Sequence, residues 1–136
     1  MNEVIEARVR TFKDAVNRLK ELKGEGKERF LNDWKLQDSA LREFQVAIES
    51  LADIANHIIA QKDWRRPTSY KEIITVLAEN KVIPEDFVKT GEKIMGFRNI
   101  IVHEYLYLDL EKVFLNLMKL EDLEKFLKHL IEQISD

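Results

Sequence analysis

Leu41-Arg42-Glu43-Phe44-Gln45-Val46-Ala47-Ile48-Glu49-Ser50-Leu51-Ala52-Asp53-Ile54-Ala55-Asn56-His57-Ile58 decides the fold class. Leu41, Phe44, Ile48, Leu51, Ala55 and Ile58 recur at gaps of three and four, the period of one helical face. The same period continues outward. Upstream, Phe30 and Trp34 begin the stripe, and Gln37 and Asp38 stand where it calls for an apolar residue. There the chain either breaks its helix or turns a polar residue inward. Before that, Ile5, Val9, Phe12, Val16 and Leu19 mark an amphipathic helix of about 20 residues. Gly24-Glu25-Gly26 ends it and permits a tight reversal.

Downstream, Trp64-Arg65-Arg66-Pro67 reads as a connector, because proline disfavours helix in the residue before it. Ser69 and Glu72 form a capping box opening a short helix with Tyr70, Ile73, Ile74 and Leu77 on one face. Pro84 suits the first position of the next helix, with Glu85 and Asp86 at its positive end. Gly91 and Gly96 within that helix each cost about 1 kcal/mol relative to alanine. A glycine directly before Phe97-Arg98 therefore suits close approach of a backbone or a ligand. Asp109 suits the cap of a last helix carrying Val113, Leu117, Leu120, Leu123, Leu127, Leu130 and Ile134. The expected architecture is a single all-α domain over residues 1–136, an up-and-down bundle of four long helices plus one short helix.

Composition narrows the chemistry. The chain has 136 residues, 45% hydrophobic and 35% charged, enough for a buried core. A net charge of −3, with no polybasic run, gives no global argument for nucleic acid, so any such contact must be local. Absence of cysteine excludes disulfides, thiolate metal sites and a cysteine nucleophile. Three scattered histidines without a His-x-x-x-His pair argue against a metal site, and no cofactor motif occurs. The acidic start and the lack of a long apolar stretch point to a soluble, cytoplasmic protein.

The chemistry-bearing segment is Gly96-Phe97-Arg98-Asn99-Ile100-Ile101-Val102-His103-Glu104-Tyr105. If it stays helical throughout, Arg98 and Tyr105 fall within about 20° of each other, and Arg98, Asn99, His103 and Tyr105 share an arc of about 160°. Ile94, Phe97, Ile100 and Ile101 take the other side. Arginine binds phosphate through a planar fork, and histidine titrates near neutrality. Cleaving RNA without a metal needs a base, an acid and a cation on the phosphorane. One chain supplies one such histidine; a two-fold homodimer supplies two histidines and two arginines to a common cleft. From spacing alone, a helix cap with a surface salt bridge is the commoner reading of such a stretch.

Arg98, His103 and Tyr105 at Arg-x4-His-x-Tyr spacing resemble the signature of HEPN domains, in their HepT-like toxin branch. Ala55-Asn56-His57-Ile58-Ile59, Pro67-Thr68-Ser69-Tyr70, Val82-Ile83-Pro84 and Met95-Gly96-Phe97-Arg98-Asn99 look like the same family, in order and at similar spacings. The likeness is specific from about Asp38 onward, and it favours a polar residue turned inward at Gln37-Asp38 over a helix break. It implies a homodimeric, metal-independent ribonuclease toxin with Arg98 and His103 lining the cleft between subunits. It also implies a minimal nucleotidyltransferase antitoxin that transfers AMP to Tyr105. On that likeness Arg98 binds phosphate, His103 moves protons, Asn99 positions the histidine, and Tyr105 is both RNA contact and modification site. A non-catalytic nucleotide- or partner-binding subunit of a nucleotidyltransferase complex is the reading from another class.

Other candidates carry paired readings. Asp38 either pairs with Arg98 or lies on the surface. Trp64 with Arg65-Arg66 is either an RNA-tracking rim or a solvated connector. His57 reads as structural, Tyr107 as a possible decoy for Tyr105, and His129 as a residue of a charged face.

Overall fold

The computed structural model of the chain describes residues 1–134; Ser135 and Asp136 lie outside them. Among the described residues the fold is all-α, without a strand. The helices are α1 (Glu3–Gly24), α2 (Lys27–Asn32), α3 (Trp34–Gln61), α4 (Tyr70–Glu79), α5 (Val88–His103), α6 (Leu110–Leu117) and α7 (Leu120–Ile131). Short 3-10 turns at Glu85–Phe87 and Tyr105–Tyr107 precede and follow α5. None of these helices is long and apolar enough to cross a membrane.

At 28 residues α3 is the longest helix, and it packs against α1 on one side and α4, α5 and α7 on others. Its sequence explains that position. Besides the expected stripe, Ala40, Ala47, Ala52, Ile54 and Ile59 are also buried, so apolar or small residues reach most of its circumference. A buried arc that wide lets one helix pack against several neighbours at once. Aromatic pairs tie the rest to it or to each other. Phe44 meets Phe97 edge-on at 5.0 Å, joining α3 to α5. Phe30 meets Phe114 at 5.6 Å, joining α2 to α6, and Phe87 meets Phe126 at 5.8 Å, joining the start of α5 to α7.

The bundle departs from the expected element list at three places. Gly24-Glu25-Gly26 reverses the chain as anticipated, with Gly26 at φ +89°, but a short helix follows before the long one. Asp33 separates the two: its backbone is extended and its carboxylate accepts the Lys35 N–H at 2.9 Å. Phe30 is buried in α2, whereas Trp34 is 66% exposed and leaves the stripe. Gln37 is the polar residue turned inward, donating from Nε2 to the Phe30 and Leu31 carbonyls at 3.0 and 3.2 Å. Asp38 is exposed.

The closing helix is in two pieces. Leu117, Leu120 and Leu123 are spaced by three twice in succession, and each such step falls about 60° short of a full turn. A straight helix would carry the stripe about 120° off the core; the break at Met118 and Lys119 lets both halves face inward. Pro84 adopts an extended conformation just ahead of the first 3-10 turn rather than inside the helix.

Gly91, not Gly96, is the close approach. A Cβ added at Gly91 would lie 3.0 Å from Cδ1 of Ile74, a fully buried side chain of α4, while at Gly96 the nearest atom is Cε of Lys71 at 4.0 Å. Gly91→Val is accordingly expected to lower stability by about 1–3 kcal/mol through overpacking of α4 on α5, measured by urea unfolding. Wild-type stability in that variant would contradict the tight contact.

Candidate functional site

Ile94, Met95 and Ile101 bury one face of α5, and Phe97 packs on Phe44. That anchoring fixes the opposite arc. Arg98 is the best-held side chain on it, with 15% of its side chain exposed. Its Nε and Nη2 both donate to Oε2 of Glu49, at 3.1 and 3.0 Å, and its Nη1 donates to Oδ1 of Asn99 at 3.2 Å. The Cζ atom sits 4.1 Å from the ring centroid of Tyr70. Gln45 adds a third donor to the same Glu49 oxygen at 3.3 Å. Guanidinium carries five N–H groups. Glu49 and Asn99 together take one from Nε and one from each terminal nitrogen, leaving one N–H on Nη1 and one on Nη2 for an incoming oxyanion.

His103 is the last residue of α5 and is exposed. The helix stops there: Glu104 closes the final turn through its N–H to the Ile100 carbonyl at 2.9 Å, then departs from helical geometry. Tyr105 therefore enters the following 3-10 turn, and its expected alignment with Arg98 on one helix does not hold. A contact with another helix places it instead. Its hydroxyl donates to Oδ1 of Asp38 at 3.2 Å. That hydrogen bond, and secondarily the carboxylate charge, raises the Tyr105 pKa, so the phenol keeps its proton.

Of the two readings of Asp38, the surface position is the one observed: Asp38 is exposed and accepts from Tyr105, while Glu49 pairs with Arg98. Asn99 hydrogen-bonds Arg98 rather than His103. Sequence reading missed Glu49, Gln45 and Tyr70. A helical wheel carried the signal for the first two. Gln45 and Glu49 lie seven and eleven residues from Asp38, within about 20° of it, so α3 presents a polar line facing α5. Tyr70 stands in the Pro67-Thr68-Ser69-Tyr70 stretch, but nothing in one sequence says that α4 lays it on α5.

The remaining candidates take structural places. Arg65 donates from Nε and Nη2 to the two carboxylate oxygens of Glu79, at 3.0 and 2.7 Å, and approaches Glu72 at 3.4 Å. The hydrogen bond from Arg65 lowers the Glu79 pKa. Trp64 packs partly against the core, so this segment is a pinned connector. His57 is half-buried on α3. His129 meets Phe87 edge-on at 5.2 Å instead of standing on a charged face. Tyr107 is 85% exposed and Leu106 88%, and Ile100 and Val102, near His103 in sequence, are exposed as well. Among the described residues no group of three His, Asp or Glu is placed to hold a metal.

The chain as a whole is similar to known proteins. The family described as "Ribonuclease HepT-like" matches residues 12–130. The chain belongs to the HepT-like ribonuclease family. The mRNA nuclease HepT of Shewanella oneidensis is 36% identical over 128 residues, covering 93% of this chain and 96% of that one. Among solved structures, a toxin–antitoxin complex with AMP-PNP superposes with a TM-score of 0.87 at 34% identity, over 96% of this chain and 99% of the other. A tri-AMPylated HEPN toxin of Shewanella oneidensis, in complex with its MNT antitoxin, gives a TM-score of 0.87 at 35% identity, over 95% and 97%. For the HepT-like fold, the all-α bundle expected from the helical period is thus the family's own.

Two outcomes test the local geometry. Glu49→Ala strips Arg98 of its carboxylate and is expected to cost about 1.5–3 kcal/mol of stability in urea unfolding, the scale of a hydrogen bond to a charged group. No change would mean that the pair is dispensable. Asp38→Ala removes the acceptor that favours the neutral phenol, so the Tyr105 pKa is expected to fall back towards the ordinary tyrosine value. NMR titration of labelled tyrosine reads this directly, and an unmoved Tyr105 would exclude the contact in solution.

Proposed function

We propose that this chain is a metal-independent endoribonuclease toxin that works as a homodimer and is silenced by a minimal nucleotidyltransferase antitoxin. One observation carries the reading: a rigidly held Arg98 and an exposed His103 occur on the same end of one helix, with one of each per chain. A phosphodiester in transphosphorylation needs two proton-transfer groups, and a second copy supplies the other. The exposed apolar side chains Ile100, Val102, Leu106 and Tyr107, close to His103 in sequence, support such a contact.

In the assembled cleft, His103 of one copy takes the proton of a ribose 2′-hydroxyl, whose oxygen attacks the adjacent phosphorus. His103 of the second copy gives its proton to the departing 5′-oxygen, leaving a 2′,3′-cyclic phosphate. The two open N–H groups of Arg98 meet the charge gathering on the phosphorane, where fixed donors stabilise a transition state most. Donors already fixed by Glu49 and Asn99 need little reorganisation. The relatives named above lend support, one as an mRNA nuclease and one as an AMPylated toxin bound to its antitoxin.

Silencing follows from Tyr105. AMP on its hydroxyl puts bulk and a negative charge next to Asp38 and beside a cleft made for phosphate, so RNA is excluded by volume and by charge. RNA turnover by this route places the protein in the cytoplasm.

The test is cleavage of end-labelled RNA by the purified protein in chelator, with the ends analysed for 2′,3′-cyclic phosphate. Arg98→Ala and His103→Ala are each expected to lower the rate at least 100-fold, within the range ascribed to general acid–base and oxyanion-stabilising groups. Full activity in either variant would overturn the assignment. Nucleotide binding without RNA turnover would favour a binding subunit instead.

A further inference from the structure

We propose that Tyr70 is a positioning residue for RNA cleavage: its ring fixes the plane of the Arg98 guanidinium so that the two open N–H groups point at the scissile phosphate. This rests on the ribonuclease reading above and concerns a residue outside the Arg-x4-His-x-Tyr motif. Glu49 and Asn99 hold Arg98 through hydrogen bonds at its edges. Edge contacts locate the nitrogens but resist tilting of the plane weakly, because hydrogen bonds tolerate about 30° of bending. A ring face 4.1 Å from Cζ resists tilting directly, and it covers one side of the cation. With water excluded from that side, the attraction between the guanidinium and a phosphorane is less screened.

The mount is rigid enough to act this way. Tyr70 is the first residue of α4, and the hydroxyl of Ser69 accepts the Glu72 N–H at 3.1 Å. Glu72 in turn accepts from the Thr68 N–H at 3.0 Å, and Arg65 ties the connector to Glu72 and Glu79. Gly91 lets α4 lie close on α5 through Ile74. Burial raises the Tyr70 pKa, against the opposing pull of Arg98, so the ring stays a neutral aromatic. The Tyr70 hydroxyl makes no hydrogen bond within the chain among the described residues; the face does the holding, and phenylalanine should replace it.

Single-turnover cleavage of a short RNA by the full-length protein tests this through three variants. Tyr70→Leu keeps an apolar side chain but removes the π face, and its chemical step is expected to slow by about three- to thirtyfold, the range of a cation–π contact, with RNA affinity changed less than about twofold. Tyr70→Phe is expected to retain wild-type rate. In an Arg98→Ala background, where no cation remains over the ring, Tyr70→Leu should add nothing. NMR of the Arg98 Nε–H provides a second readout, with slow exchange in wild type and Tyr70→Phe and fast exchange in Tyr70→Leu. Loss in Tyr70→Phe equal to that in Tyr70→Leu would overturn the proposal, as would an undiminished rate in Tyr70→Leu. If the wild-type protein fails to cleave RNA, the ribonuclease reading falls, and the Nε–H exchange still decides whether Tyr70 holds Arg98.

Discussion

A cation withdrawn from water must be met on every side that water has left, and Arg98 sets that condition for the bundle. Its guanidinium is mostly covered, so leaving it without carboxylate, amide or ring would cost several kcal/mol. Glu49 supplies opposite charge, Asn99 an oxygen and Tyr70 a face. Each comes from a different helix, except Asn99 next door, and each helix has to be placed to about an ångström for the arrangement to close. The positions of α3, α4 and α5 relative to one another are therefore under the demand of one side chain as well as of the core.

The core meets that demand by making α3 central. Because α3 is apolar around most of its circumference, it fixes the bundle's axis, and the polar line Asp38, Gln45 and Glu49 faces α5. Phe44 against Phe97, the residue just before Arg98, sets the spacing of the two helices there. Two acids on that line serve different ends: Glu49 neutralises and aims a cation, while Asp38 accepts from a neutral phenol. Separate carboxylates let the placements of Arg98 and Tyr105 be set independently.

Periodicity made the fold legible. The gaps of three and four from Leu41 to Ile58 gave the central helix, and Ser69, Pro84 and Asp109 gave helix starts to within a few residues. Helix ends were harder because they depend on packing. The break at Met118 and Lys119 has no glycine or proline; it shows only as two successive gaps of three, which a stripe drawn by eye absorbs. The candidate site was legible where chemistry is written locally, in Arg98, Asn99 and His103 on one helix. Its partners were not, because Glu49 is 49 residues from Arg98 and the choice between Glu49 and Asp38 is made by helix placement, not by residue type. The end of α5 at His103 moved Tyr105 off the expected arc for the same reason: a single non-helical Glu104 redirects everything after it.

The three partners of Arg98 also make the site a gauge of its own completeness. A chain in which α3 and α5 have met but α4 has not docked possesses the arginine and its carboxylate, yet the guanidinium is free to swing. Brief local opening of α4, which takes less free energy than global unfolding, has the same effect. Preorganisation is thus a property of the finished tertiary structure alone. Fragments, folding intermediates and transiently frayed molecules contain the motif without the geometry.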